Sequence, residues 1–228
     1  MTPLGRRSTP GNATSLLIPA LALALATAAG GCASLPQVVV LEDPLSAEEH
    51  VALGVAYEHR GEPEPAAREY ERALKKDRSS FRARLNLGNV RLAEKRYGDA
   101  RAEYLKALEL RLADPEATNN LAWAAILSGD EREEALRRLD AVLAARASAA
   151  PPEDGLTPVL LDTRGVLLGR LGRRAEAVAA LAQAVDACLA AGAAPAPAQA
   201  AGAPGPSAPC PASVLEEIRA HREELRSH

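Results

Sequence analysis

Residues 81–114 read FRARLNLGNVRLAEKRYGDARAEYLKALELRLAD, and the placing of Leu87-Gly88, Ala100, Tyr104 and Ala107 in this stretch decides the fold. Each of these has a counterpart 34 residues upstream, at Leu53-Gly54, Ala66, Tyr70 and Ala73. Leu121-Ala122 continues the series downstream at the same interval of 34. A period held at several positions at once marks a repeat array. Gly165, Ala177, Leu181 and Ala184 reproduce the pattern a fourth time, displaced by an insertion.

Within one period the small residue lets two helices approach closely, and Leu, Tyr and Ala at three- and four-residue spacings form the stripe they share. One helix pair cannot bury that stripe alone, whereas a stack can. The start signals agree. Ser46-Ala47-Glu48-Glu49 has capping-box spacing, and Pro115 suits the first turn of a helix, where its missing N–H costs nothing. Composition points the same way: 47% of the 228 residues are apolar, only six are aromatic, and Ala and Leu outnumber the β-branched residues, which disfavours a sandwich or barrel. The net charge of -3 and the absence of a long basic run leave no electrostatic footprint for nucleic acid.

The residues quoted above resemble the tetratricopeptide repeat family, over roughly 46–190. The resemblance implies an all-α fold, a right-handed superhelical stack of helix–turn–helix units, here 47–80, 81–114, 115–147 and 158–190. In the third unit Ala135 falls one residue late, which predicts a longer turn through Ser128–Glu133. In the fourth, Arg164 stands where a large apolar residue is usual, which predicts weaker packing on the third. Ser148–Thr157, with Pro151-Pro152 and Gly155, is the insertion. An Ala/Pro/Gly linker fills 191–210, and an amphipathic C-terminal helix over 211–228 caps the open end.

The N-terminus reads as an address. Residues 1–31 contain Arg6 and Arg7, no acidic side chain and an apolar run from Leu16 to Ala29, which is the layout of a secretory signal. Fourteen residues are too few to span a bilayer, which takes about 20. Ala29-Gly30-Gly31-Cys32 resembles a bacterial lipobox, with Ala29 at the usual Leu position. That likeness implies cleavage before Cys32 and lipidation of its thiol. Ser8-Thr9-Pro10 after the arginine pair argues for general secretion over a twin-arginine route. The expected location is therefore the bacterial cell envelope, with the repeats periplasmic and a lipid anchor in the outer membrane. Residues 32–45 form an extended tether. Residues 32–228 carry 25 basic and 30 acidic side chains.

Groups for catalysis or metal binding do not converge in the sequence. None of the four histidines, His50, His59, His221 and His228, stands three or four residues from another. His50 and His59 read as surface or groove residues on different faces of the first helix. There is no phosphate-binding glycine loop and no nucleophile elbow. The expectation is no enzyme, no cofactor, no metal, no nucleic acid and no small-molecule substrate.

The resemblance places the first helix of each unit on a concave surface, which puts Glu48, Val51, Val55, His59, Asn86, Asn89, Asn119, Asn120, Trp123, Asp162, Val166 and Arg170 there. Asn89 and Asn120 matter most, because an amide offers both a donor and an acceptor to an extended peptide backbone. Two roles stand open for these asparagines, gripping a partner or tying helices together, and for Trp123, groove anchor or inter-repeat core. The basic residues that hold a terminal carboxylate in chaperone-binding relatives are not matched, since Val51 and Leu85 occupy those places. Cys188 and Cys210 are expected to form a disulfide in an oxidising compartment, the alternative being two separate thiols. The function implied is a membrane-anchored, non-catalytic scaffold for a partner protein or extended peptide in the envelope. The alternatives are an accessory subunit or substrate carrier for an envelope enzyme acting in trans, and a cytoplasmic adaptor.

Overall fold

The computed structural model describes residues 43–148, 155–193, 210 and 212–227. The expected signal segment 1–31, the expected lipidation site Cys32, and most of the expected tether and linker lie outside the described residues. Contacts separate residues up to Pro44 from Leu45–His228, and the helices belong to the second unit. In order they are α1 (Ala47–His59), α2 (Pro63–Lys76), α3 (Phe81–Ala93), α4 (Tyr97–Leu110), α5 (Pro115–Ser128), α6 (Arg132–Ser148), α7 (Leu156–Arg170), α8 (Arg174–Ala193) and α9 (Ala212–Ser227). Consecutive helices pack on one another from α1 to α9, and α5 also packs on α7. The described residues form an all-α stack of four helix pairs with one further helix.

Helix starts follow from side-chain oxygens at the caps. Ser46 Oγ accepts from the Glu49 amide at 3.2 Å while Glu49 Oε2 accepts from the Ser46 amide at 2.8 Å. Asp114 Oδ1 accepts from the Ala117 amide at 3.0 Å, with Pro115 beside it in the first turn. Each such cap contributes about 1 kcal/mol.

Every pair is joined by three residues, and a left-handed backbone turns the chain within them: Gly61 (φ 73°), Lys95 (φ 61°), Gly129 (φ 88°) and Gly172 (φ 77°). Lys95 has a side chain at that bend, as does Glu131 (φ 55°) in the third turn, and there a Cβ crowds the following carbonyl. Lys95→Gly is expected to stabilise the protein by about 0.5–1 kcal/mol after the extra freedom of glycine in the unfolded chain is counted; the midpoint of urea denaturation reads it directly.

The longer turn expected in the third unit is absent. The extra residue instead extends α5 to 14 residues, against 13 in α1 and α3, and the turn keeps its length by placing both Gly129 and Glu131 in the left-handed region. The fourth pair begins at Leu156 rather than 158, because Pro158 fits inside the first turn of α7, and α8 runs on to Ala193.

The period has a steric origin. A Cβ on Gly88 would stand 2.5 Å from Tyr104 Cε1, and one on Gly165 would stand 2.6 Å from Leu181 Cδ2. Gly54 meets the Tyr70 ring in the same way. In each of these pairs a fully buried side chain of the second helix lies on the bare backbone of the first. The third pair exchanges both partners: Ala122 replaces the glycine and Leu139, smaller than tyrosine, shares its buried cluster. The apolar clusters then bridge pairs. Tyr70 and Ala73 pack with Ala83 and Leu87, Tyr104 with Ala117 and Leu121, and Leu139 with Leu160 and Leu167, so each unit's stripe is completed by the next.

Candidate partner groove

Asn89 on α3 is a junction. Its Oδ1 accepts from Tyr104 Oη on α4 at 2.9 Å and from Asn120 Nδ2 on α5 at 2.9 Å, which fills both lone pairs of the amide oxygen. Three helices from two units are tied at one atom. The Asn89 amide nitrogen and the Asn120 oxygen take no part in this tie, and neither is among the sealed polar atoms that lack a partner. Half of each amide is structural, and the other half makes no bond in this tie. Of the two roles left standing by the sequence, the tying of helices is the one these bonds make.

The other joints use different chemistry. Within the first unit Tyr70 Oη donates to Glu58, and Asn86 of the second unit faces the same phenol. Burial pushes the Tyr70 and Tyr104 phenols above their ordinary range, reinforced by the Glu58 carboxylate at Tyr70 and by Glu116 at Tyr104. Both remain protonated donors at any physiological pH. Between the last two units Thr163 Oγ1 donates to Asn119 Oδ1 at 2.7 Å and Arg164 Nε donates to Asp140 Oδ1 at 2.5 Å. Arg164, expected to weaken this joint, bonds across it.

Trp123 on α5 is half-buried and lies 6.3 Å, ring centre to ring centre, from His221 of α9. His221 Nδ1 is 3.0 Å from both oxygens of Asp162 on α7. The hydrogen bond to Asp162 holds the His221 pKa above its ordinary 6.5, helped by Glu217 and Glu224 of α9 and opposed by burial. A raised folded value means that this contribution is complete below about 6.5 and disappears as pH rises through the folded pKa. The seating of α9 is expected to loosen over that window, and hydrogen exchange of the α9 amides against pH measures it; His221→Gln should flatten the profile.

A family model described as tetratricopeptide repeat matches residues 47–90, and a second of the same description matches 81–114. Residues 47–114 are tetratricopeptide repeats. No curated protein matches it by sequence. Among solved structures, YrrB, described as a tetratricopeptide-repeat protein with an unusual peptide-binding site, is 21% identical with a TM-score of 0.51, over 61% of this chain and 68% of that one. MamA from Desulfovibrio magneticus RS-1 is 21% identical with a TM-score of 0.52, over 61% and 74%. PilW, a type IV pilus biogenesis factor, is 15% identical with a TM-score of 0.54, over 80% and 78%. At these identities the likeness is one of fold.

Several groove positions expected of tetratricopeptide repeats are not free. Val51 and Asp162 are buried, and Asp162 is taken by His221. His50, expected at the surface or groove, is fully buried with Nδ1 2.7 Å from Glu69 Oε2, and Arg72 bonds the other Glu69 oxygen; α1 turns that face onto α2. Glu48, His59 and Arg170 are exposed, while Val55, Asn86 and Val166 are half-buried. Arg170 ends α7 at a distance in the chain from the tied asparagines. The sequence missed Tyr104, Thr163 and His221 as polar partners of the expected site. Tyr104 was readable, since an obligate hydroxyl on a buried stripe needs a partner.

A cleft among α4, α5 and α6 is lined by Leu105, Leu121, Ala125 and Ala135, with Arg101 paired to Glu131 and Arg138 to Glu134 at its rim. Among the described residues no group of three His, Cys, Asp or Glu is placed to hold a metal, and no helix is long and apolar enough to cross a membrane.

Proposed function

We propose that the protein is a non-catalytic scaffold that holds an extended segment of a partner protein along Asn86, Asn89, Asn120 and Trp123, and that it works in the bacterial cell envelope, anchored by lipid on Cys32. The observation that carries the reading is the divided use of Asn89 and Asn120. One side of each amide is locked by the Tyr104 tie, so the other is presented in a fixed orientation that a partner backbone can meet without paying for rotamer ordering. YrrB, which shares the fold, is described by its peptide-binding site. For the envelope, the supports are the leader ending at Cys32, and the disulfide between Cys188 and Cys210.

Crosslinking in intact membranes followed by capture of the full chain tests the groove. Asn120→Ala is expected to weaken capture at least tenfold while leaving helicity intact, since an unpaired amide costs about 1–3 kcal/mol per lost partner. Normal capture by a folded Asn120→Ala protein assigns the partner to another surface. Salt should tune the affinity weakly, because few charges line these positions. Anchorage is read separately, by intact mass: a mature chain beginning at an acylated Cys32 supports it, and an unmodified Cys32 rejects it.

A further inference from the structure

The last helix contributes little of its own to its seat. Among its described side chains, Ile218 alone is buried, against Leu181, Ala184, Val185 and Cys188 of α8, while Val214, Leu215 and Leu225 are half-buried. One buried isoleucine offsets only a small part of the ordering of a 16-residue segment. Two further restraints act at its ends. Cys210, two residues before α9 begins, is disulfide-bonded to Cys188, closing a separation of 22 residues. At the other end His221 bonds Asp162, and Leu225 lies on the bare backbone of Gly169, where a Cβ would stand 2.7 Å from its Cδ2. The residues beneath α9 include Trp123 and Asp162, two positions of the groove line.

We propose that α9 is a lid released by reduction: the Cys188–Cys210 bond keeps it over Trp123 and Asp162, and a dithiol that cleaves the bond uncovers that end of the groove. Chemistry and geometry agree on the order of steps. A dithiol thiolate attacks Cys210 Sγ, the less buried of the two sulfurs, since Cys188 is 3% exposed and Cys210 half-buried. Cys188 leaves as a thiolate and takes up a proton. The second thiol of the reductant then attacks the mixed disulfide, frees Cys210 and closes its own disulfide, so two electrons pass to the protein. Without the bond the linker still tethers α9, at a much lower effective concentration over its seat. The use of the lid rests on the groove reading above, whereas its movement is measured without a partner, because α9 lies against Trp123 in the free protein.

Trp123 is the single tryptophan, so acrylamide quenching of the full chain reports the lid alone. Reduction by dithiothreitol is expected to raise the quenching constant several-fold with the helical circular-dichroism signal of the repeats retained, and Cys188→Ser combined with Cys210→Ser should do the same without reductant. Ile218→Asp, which removes the apolar anchor with the bond intact, should leave Trp123 far less quenched in the oxidised protein than reduction does, and full exposure there overturns the proposal. Equal quenching of the oxidised and reduced forms makes α9 a fixed cap and overturns the proposal. So does loss of repeat helicity in step with exposure, which would make α9 part of one cooperative core.

Discussion

Tyr104→Ala is expected to cost about 3–5 kcal/mol, the range for emptying a buried aromatic site. The ring is fully buried and lies on Gly88, which has no side chain to move into the space. Its hydroxyl is also one of the two donors to Asn89 Oδ1, so the substitution removes the tie to α4 as well. Tyr104→Phe separates these contributions. It keeps the ring and leaves Asn89 Oδ1 with Asn120, so it should cost only about 1 kcal/mol. Urea unfolding followed by circular dichroism gives both values. The alanine protein should also lose the single sharp transition, because a weakened joint in a repeat array lets its two sides unfold apart.

Gly88→Val should be nearly as damaging, at about 3 kcal/mol or more. Its Cβ alone would fall 2.5 Å from the Tyr104 ring, and the ring cannot retreat because it is packed against Ala117 and Leu121 of the next unit. The matched control lies ten residues on, in the same unit. Nothing stands within 4 Å of a Cβ built on Gly98 in α4, so Gly98→Ala should stabilise by about 0.5–1 kcal/mol through helix propensity. Opposite signs for the two glycines would show that the period is set by the glycine–tyrosine contact and not by a general need for small residues.

The fold was legible because its steric rule is local. Glycine and tyrosine sixteen residues apart in one unit must meet once two helices pack antiparallel, and the 34-residue spacing repeats that meeting. Caps at Ser46 and Asp114 depend on three-residue windows and were equally readable. What escaped the sequence depended on side-chain choice across units. The late Ala135 is satisfied equally well by a longer turn or a longer helix, and only the left-handed conformations at Gly129 and Glu131 decide between them. His50 and Val51 are neighbours on α1, and the burial of both follows from how closely α2 approaches, which no periodicity reports. The asparagines of the first helices were legible as a row of positions. Their polar pairing was not, since Asn120 reaches back 31 residues to Asn89 while Asn119 turns forward 44 residues to Thr163.

The exchange of Gly–Tyr for Ala122–Leu139 in the third unit bears on how such an array grows. A second copy of residues 81–114 inserted after the first would bring its own Asn86 to the place Asn120 now holds, opposite the free-standing pair Tyr104 and Asn89, so the new joint could close with the same atoms. A second copy of the third unit would find Leu139 there, a side chain with no hydroxyl to offer the next asparagine. The actual continuation needs Thr163 and Arg164, which only the fourth unit supplies. The middle of the array is thus open to gene duplication, and its C-terminal end carries a built-in stop on length.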